Sequence, residues 1–205
     1  ALQTLDPDVH DLINFEAERQ ARKIIMIPSE SQAPEAVREA LGSVFQNIYA
    51  EGYPNPDTHK LTQSQILDYP LQLARYRRIG DERYYKGVEY ADVIEALARR
   101  RAAEAYAANG VGPDDIWANV QPLSGSPANS AIYAALVPVG ATVMGMDLLH
   151  GGHLTHGSPA NRSGKLYKII SYGIDPQTER LNYEAIEALA REHKPKMIIA
   201  GYTSY

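Results

Sequence analysis

From Ile116 onward the chain alternates short apolar runs with stretches of helical period, and this order restricts the fold more than any other feature of the 205 residues. The runs are Ile116 to Val120, Ala141 to Gly145, Leu166 to Ile170 and Lys196 to Ala200, with helical patterns at Pro127 to Leu136 and Tyr183 to His193. An apolar run without polar alternation fits a strand covered on both faces, and strands joined through helices come out parallel. The expectation is an α/β domain around a mostly parallel sheet. The chain ends one step beyond the last run, which points to an incomplete domain.

The part before Ile116 is of another kind. Asp6 suits an N-cap, Pro7 the first helical position, and Val9, Leu12, Ile13 and Ala17 recur at helical spacing. Pro34 opens a second helix over Glu35 to Leu41, which Gly42 closes in the left-handed conformation a helix end often takes. Tyr49 to Gly87 holds Pro54, Pro56 and Pro70, a tyrosine-rich end (Tyr76, Tyr84, Tyr85) and Arg75, Arg77, Arg78 and Arg83. It reads as a long loop with at most a short helix near Leu67 to Tyr76, and such loops tend to be functional or to bridge subunits. From Val88 the helical period returns at Ala91, Ile94, Ala98, Ala102 and Ala105, giving the longest helix. The segments are thus a helical arm over 1–48, a tyrosine-rich loop over 49–87 and an α/β part over 88–205.

Composition narrows the functions. A net charge of −5 offers no basic face for a phosphate backbone, so nucleic acid is not an expected partner. The run Ala131 to Met146 is broken by Pro138, Gly140 and Thr142, leaving no membrane-spanning segment. Asp6, Asp8 and Asp11 stand where a secretory signal would carry basic residues. Zero cysteines exclude thiolate chemistry and fit a reducing compartment, so the chain is read as cytoplasmic.

Three constellations could carry chemistry. Ser124-Gly125-Ser126-Pro127 lies between a strand and a helix, where Ser126 can cap the helix and Gly125 lets backbone N–H groups approach an anion. The same residues also make an ordinary Ser-Pro cap. His150-Gly151-Gly152-His153-Leu154-Thr155-His156-Gly157 follows a strand. Its paired glycines and the absence of a HExxH pattern favour a cofactor-contacting histidine over a metal ligand, and a structural loop whose histidines cap backbone groups is the other reading. In Tyr49-Ala50-Glu51-Gly52-Tyr53-Pro54, with Tyr84-Tyr85 further on, a carboxylate flanked by phenols suits proton transfer if burial raises its pKa; as plain packing it would be inert.

Together these stretches resemble serine hydroxymethyltransferase, a pyridoxal 5'-phosphate (PLP) enzyme of the aspartate-aminotransferase-like fold (fold type I). The resemblance rests on Ile27-Pro28-Ser29-Glu30, the Glu51 motif, Tyr84-Tyr85, Ala118-Asn119-Val120-Gln121-Pro122 running into Ser124-Gly125-Ser126, His150 to Gly157, Asn161, Ser163-Gly164-Lys165 and Ala200-Gly201. It implies that Ser124, Gly125 and Ser126 cradle the PLP phosphate, that His153 stacks on the pyridine ring and that Thr203 bonds its phenolic oxygen. Tyr49, Glu51 and Tyr85 take the catalytic positions, Tyr49 and Glu51 reaching into a neighbouring subunit's site and Tyr49 also touching PLP. Ser29 and Tyr85 lie near the substrate carboxylate, and Leu148, Gly151, Gly152 and Leu154 around the folate pterin. The implied reaction interconverts serine and glycine, with tetrahydrofolate as co-substrate, in a homodimer or homotetramer; no metal is implied.

Several departures stand out. Ser31-Gln32 replaces the family's Asn and aromatic, Lys86-Gly87 replaces Gly-Gly, and residues at about 55–82 form an insertion of unusual length. The family's PLP-carrying lysine, its pyridine-nitrogen aspartate and its carboxylate arginine are expected beyond Tyr205, so the stretch by itself is expected to be inactive. Lys60, in Thr58-His59-Lys60, is out of the family's order and reads as a solvated loop residue. A folate-independent PLP aldolase on 3-hydroxy amino acids and a non-catalytic dimerisation module are the alternatives.

Overall fold

The computed structural model describes residues 1–27, 29–80 and 82–203. Among these the elements are α1 (Leu2–Leu5), α2 (Pro7–Arg22), α3 (Glu35–Leu41), α4 (Gln63–Ile66), α5 (Tyr69–Ile79), α6 (Glu89–Tyr106), α7 (Gly125–Leu136), β1 (Thr142–Met146), α8 (Arg162–Leu166), β2 (Lys168–Tyr172), α9 (Tyr183–His193) and β3 (Met197–Ile199). Contacts divide the chain into two compact units, one of residues 1–32 and 134–205, the other of residues 33–133.

The first unit is built on a parallel sheet in the order β2-β1-β3, with Val143 opposite Ile169 on one side and Met197 on the other. Central β1 is the most buried strand: Val143 and Met144 have no exposed surface. Met144, Met146 and Tyr172 form a core against which Ile186, Leu189 and Ala190 of α9 pack. The Asn182 side chain accepts from the Ala185 N–H at 3.0 Å and starts α9 where the sequence placed it. The strand expected at Leu166 to Ile170 begins two residues later, because Asn161 caps a short helix, α8, that ends at Leu166. At the N-terminus Asp6 caps α2 through the Val9 N–H at 3.1 Å, as expected.

The second unit is organised by α6, against which α4 and α5 pack; Ile66, 1% exposed, is the anchor. The face that α6 buries carries Ala96 and Ala103, just beyond buried Val88, whereas Ile94 of the expected stripe is exposed. The segment read as a loop is largely helical: a 3-10 turn over Pro56–Lys60 precedes α4 and α5. Thr62 and Gln65 form a reciprocal capping box, and Asp68 caps α5 through the Leu71 N–H at 3.1 Å. Gly42 closes α3 at φ −83°, so it does not use the left-handed conformation. The strand expected over Ile116 to Val120 has no ladder partner among the described residues; the Ala118 carbonyl instead accepts from Arg99 Nε at 3.0 Å.

Candidate active site

The predicted residues fall into the two units, and each group is built by its own local chemistry. In the first unit, the loop after β1 folds back on the strand ends. The Asp147 carboxylate accepts from the Leu149 N–H at 2.8 Å, and Gly151 turns the chain at φ +102°. Gly152 then passes so close to β1 that a Cβ would stand 2.1 Å from the Met146 carbonyl oxygen, so only glycine fits. Leu148 and Leu154 are left exposed on either side of the buried Gly151-Gly152 pair.

His153 is half-buried and its ring is pinned: Nδ1 accepts from the Thr155 N–H at 3.1 Å and lies 2.7 Å from Thr155 Oγ1. A neutral His153 therefore carries its proton on Nε2. His156 is buried, accepts from the His153 N–H at Nδ1, and is pushed below its ordinary pKa by burial and by His153. His150 Nδ1 accepts from the Ile174 N–H at 3.0 Å. All three histidines thus cap backbone N–H groups, and among the described residues no cluster of three His, Cys, Asp or Glu is placed to hold a metal. Thr203, just past β3, donates its N–H to the Gly151 carbonyl at 2.8 Å, with its hydroxyl 3.4 Å from the Gly151 and Gly152 oxygens. Residues far apart in sequence so converge at the carboxyl ends of adjacent parallel strands, where α/β folds bind ligands.

Ser29 sits exposed on a turn after α2, next in sequence to a groove of about 490 Å³ that includes Lys23, Glu30 and Ser31. Pro28, of the same motif, lies outside the described residues.

In the second unit, Tyr49 and Tyr85 pack ring on ring, with centroids 4.5 Å apart and tilted by 58°. Glu51 is exposed, and its carbonyl accepts from the Tyr84 N–H at 3.0 Å. The residue that holds this loop is Arg83, 2% exposed, whose role the sequence reading missed. Its guanidinium donates to the carbonyls of Ala50 at 2.6 Å and Gly52 at 3.0 Å, and it pairs with Asp92 and with Glu95 at 2.6 Å. Burial alone would lower its pKa, but the bonds to Glu95 and Asp92 outweigh this and raise it, so the charge is fixed. Gln121 adds a bond to the Gly52 carbonyl at 2.7 Å and one to Glu95 at 2.9 Å. The sequence signal was Asp92 and Glu95 at helical spacing close after Arg83.

Helix α7 begins at Gly125, two residues before the expected start, so the cap position belongs to Ser124, whose carbonyl accepts from the Ala128 N–H at 3.2 Å. Ser124, Gly125 and Ser126 are exposed, and a Cβ on Gly125 would meet nothing within 4 Å. The start of α7 is therefore open at Gly125.

These features suit a PLP group part by part: an open helix start with two hydroxyls for a phosphate, and a pinned imidazole next to a hydroxyl for a flat, oxygen-bearing ring. A loop folded onto the ends of a parallel α/β sheet stands where such folds bind ligands. The family model for serine hydroxymethyltransferase matches residues 2–79 and 74–205, and the chain belongs to that family of PLP-dependent, fold type I transferases. The two matched stretches overlap at residues 74–79, inside the segment read as an insertion.

Proposed function

We propose that this chain serves the PLP-dependent interconversion of serine and glycine, with the one-carbon unit passed to tetrahydrofolate. The observation that carries the reading is the bonding of Thr203 to the Gly151-Gly152 turn that leads into His153, 52 residues away in sequence. PLP, when bound, supplies an electron-withdrawing ring that lets a bond at the amino-acid α-carbon break.

The chain's own residues position and exclude. The hydroxyls of Ser124 and Ser126 and the first N–H groups of α7 hold the phosphate. His153, locked by Thr155, would hold the ring, and the Thr203 hydroxyl would serve its phenolic oxygen. Ser29 and Tyr85 would hold the substrate carboxylate and so fix the orientation of the amino acid. Tyr49 packs on Tyr85 and keeps the phenol placed. Glu51, on the loop held by Arg83, exchanges a proton with the serine hydroxyl or the folate. Leu148 and Leu154, exposed on either side of the buried turn made by Gly151 and Gly152, give the pterin an apolar surface.

The assembly we propose is at least a homodimer, supported by α2, which buries none of its residues and exposes Leu12, Ile13 and Phe15. We place it in the cytoplasm, in keeping with the absence of cysteine; no helix among the described residues is long and apolar enough to cross a membrane.

The test is serine cleavage by the enzyme with and without tetrahydrofolate. Glu51→Gln should slow the folate-dependent rate about a hundredfold or more, the scale of a lost general acid/base, while PLP stays bound. An unchanged rate removes Glu51 from the chemistry. A rate indifferent to tetrahydrofolate assigns the chain to the folate-independent aldolases instead.

A further inference from the structure

Within the unit of residues 33–133, next to the Glu51 loop, lies an open groove of about 430 Å³, the size of a small-molecule site. Tyr53 and Trp117 line it with 53% and 69% of their surfaces exposed. His59 lies flat on the indole, with ring centroids 3.8 Å apart and planes within 5°, and its Nε2 is 3.0 Å from the Asp114 carbonyl oxygen. The segment at 55–82 thus braces Trp117 while leaving most of the ring open.

Arg99 enters the same groove from α6. It is half-buried, its Nε is used by the Ala118 carbonyl, and its guanidinium carbon stands 6.0 Å from the indole centroid. Among the described residues no carboxylate pairs with it, whereas Arg83 and Arg100 each pair with two. A half-buried guanidinium with no carboxylate partner among the described residues, in a groove lined by exposed aromatic rings, calls for an anion attached to something flat. Glu82 also lines the groove and takes a bond from the Asn55 amide at 3.3 Å, so its charge is partly engaged.

We propose that this groove binds a flat aromatic carboxylate, with its ring against Tyr53 and the open part of Trp117 and its carboxylate on the Arg99 guanidinium. Such a ligand would sit two residues from Glu51 in sequence, yet the site needs none of the chemistry proposed above.

Trp117 is the single tryptophan of the chain, so its indole N–H resonance reports on the groove alone. Titration of the protein with 4-hydroxybenzoate should move that resonance saturably, and the neutral analogue 4-hydroxybenzamide should bind about tenfold more weakly or worse, since it cannot form a charge-assisted pair. Arg99→Gln should abolish the difference between the two. Equal response to both ligands, no response to either, or discrimination that survives Arg99→Gln would overturn the proposal. The ligand comparison on the unaltered protein decides the matter even if the variant does not fold, and a failure would leave PLP binding and serine cleavage as they are.

Discussion

Arg83 shows how much of the site hangs on one side chain. It is buried with two carboxylates and two carbonyls around it, so Arg83→Met removes the counter-charge of Asp92 and Glu95 and the guanidinium bonds to the Ala50 and Gly52 carbonyls. A loss of about 3 kcal/mol is expected by urea unfolding, in line with other broken buried pairs. His156 gives the pH dependence. Burial holds its folded pKa below the 6.5 of an ordinary imidazole, so on acidification the unfolded chain takes up the proton first. Its share of stability is complete above pH 6.5 and fades as the pH falls through the folded pKa. Thermal melts should lose stability in that window, and His156→Asn, which keeps an acceptor for the His153 N–H, should lose less. Glycines separate fold from function. Gly152→Ala drives a Cβ into the Met146 carbonyl and should cost about 3 kcal/mol. Gly125→Ala meets nothing and should leave stability within about 0.5 kcal/mol while weakening PLP binding. Of these residues only the two glycines stood out in the sequence as candidates for the site; Arg83 acts on Ala50, 33 positions away, a distance no local pattern spans.

At the scale of elements, legibility follows how local the causes are. Helices α2, α3 and α9 begin where the sequence put them, because their N-cap or first-turn signals (Asp6-Pro7, Pro34, Asn182) act within one turn. The helices between Pro56 and Ile79 were hidden by their own prolines. Pro56 and Pro70 stand in first turns, where a missing N–H is harmless, and they read as breakers only while the caps Asn55 and Asp68 go unrecognised. Asp68→Ala should therefore destabilise α5 by about 1 kcal/mol, seen as faster amide exchange over residues 69–79. Ile116 to Val120 has the composition of a strand, but strandness is a property of pairing, and its Ala118 carbonyl bonds a side chain instead. The parallel direction of the three strands was legible, since strands joined through helices come out parallel, whereas their order β2-β1-β3 comes from the structure alone.

For the whole molecule the account rests on PLP. The apolar face of α2 makes a second prediction at this scale: Leu12→Ser with Phe15→Ser should shift the sedimentation coefficient toward the monomer, and an unchanged value would remove α2 from the interface. The most direct test of the central claim is a titration of the protein with PLP, followed by the circular dichroism that the cofactor gains only when held in a chiral site. Saturable binding at one PLP per chain is predicted, weakened about tenfold or more in His153→Ala and in Ser126→Asp, with the fold intact in both. Binding that does not saturate, or that is equally tight in both variants, would contradict the assignment of the His153 loop and the α7 start to the cofactor.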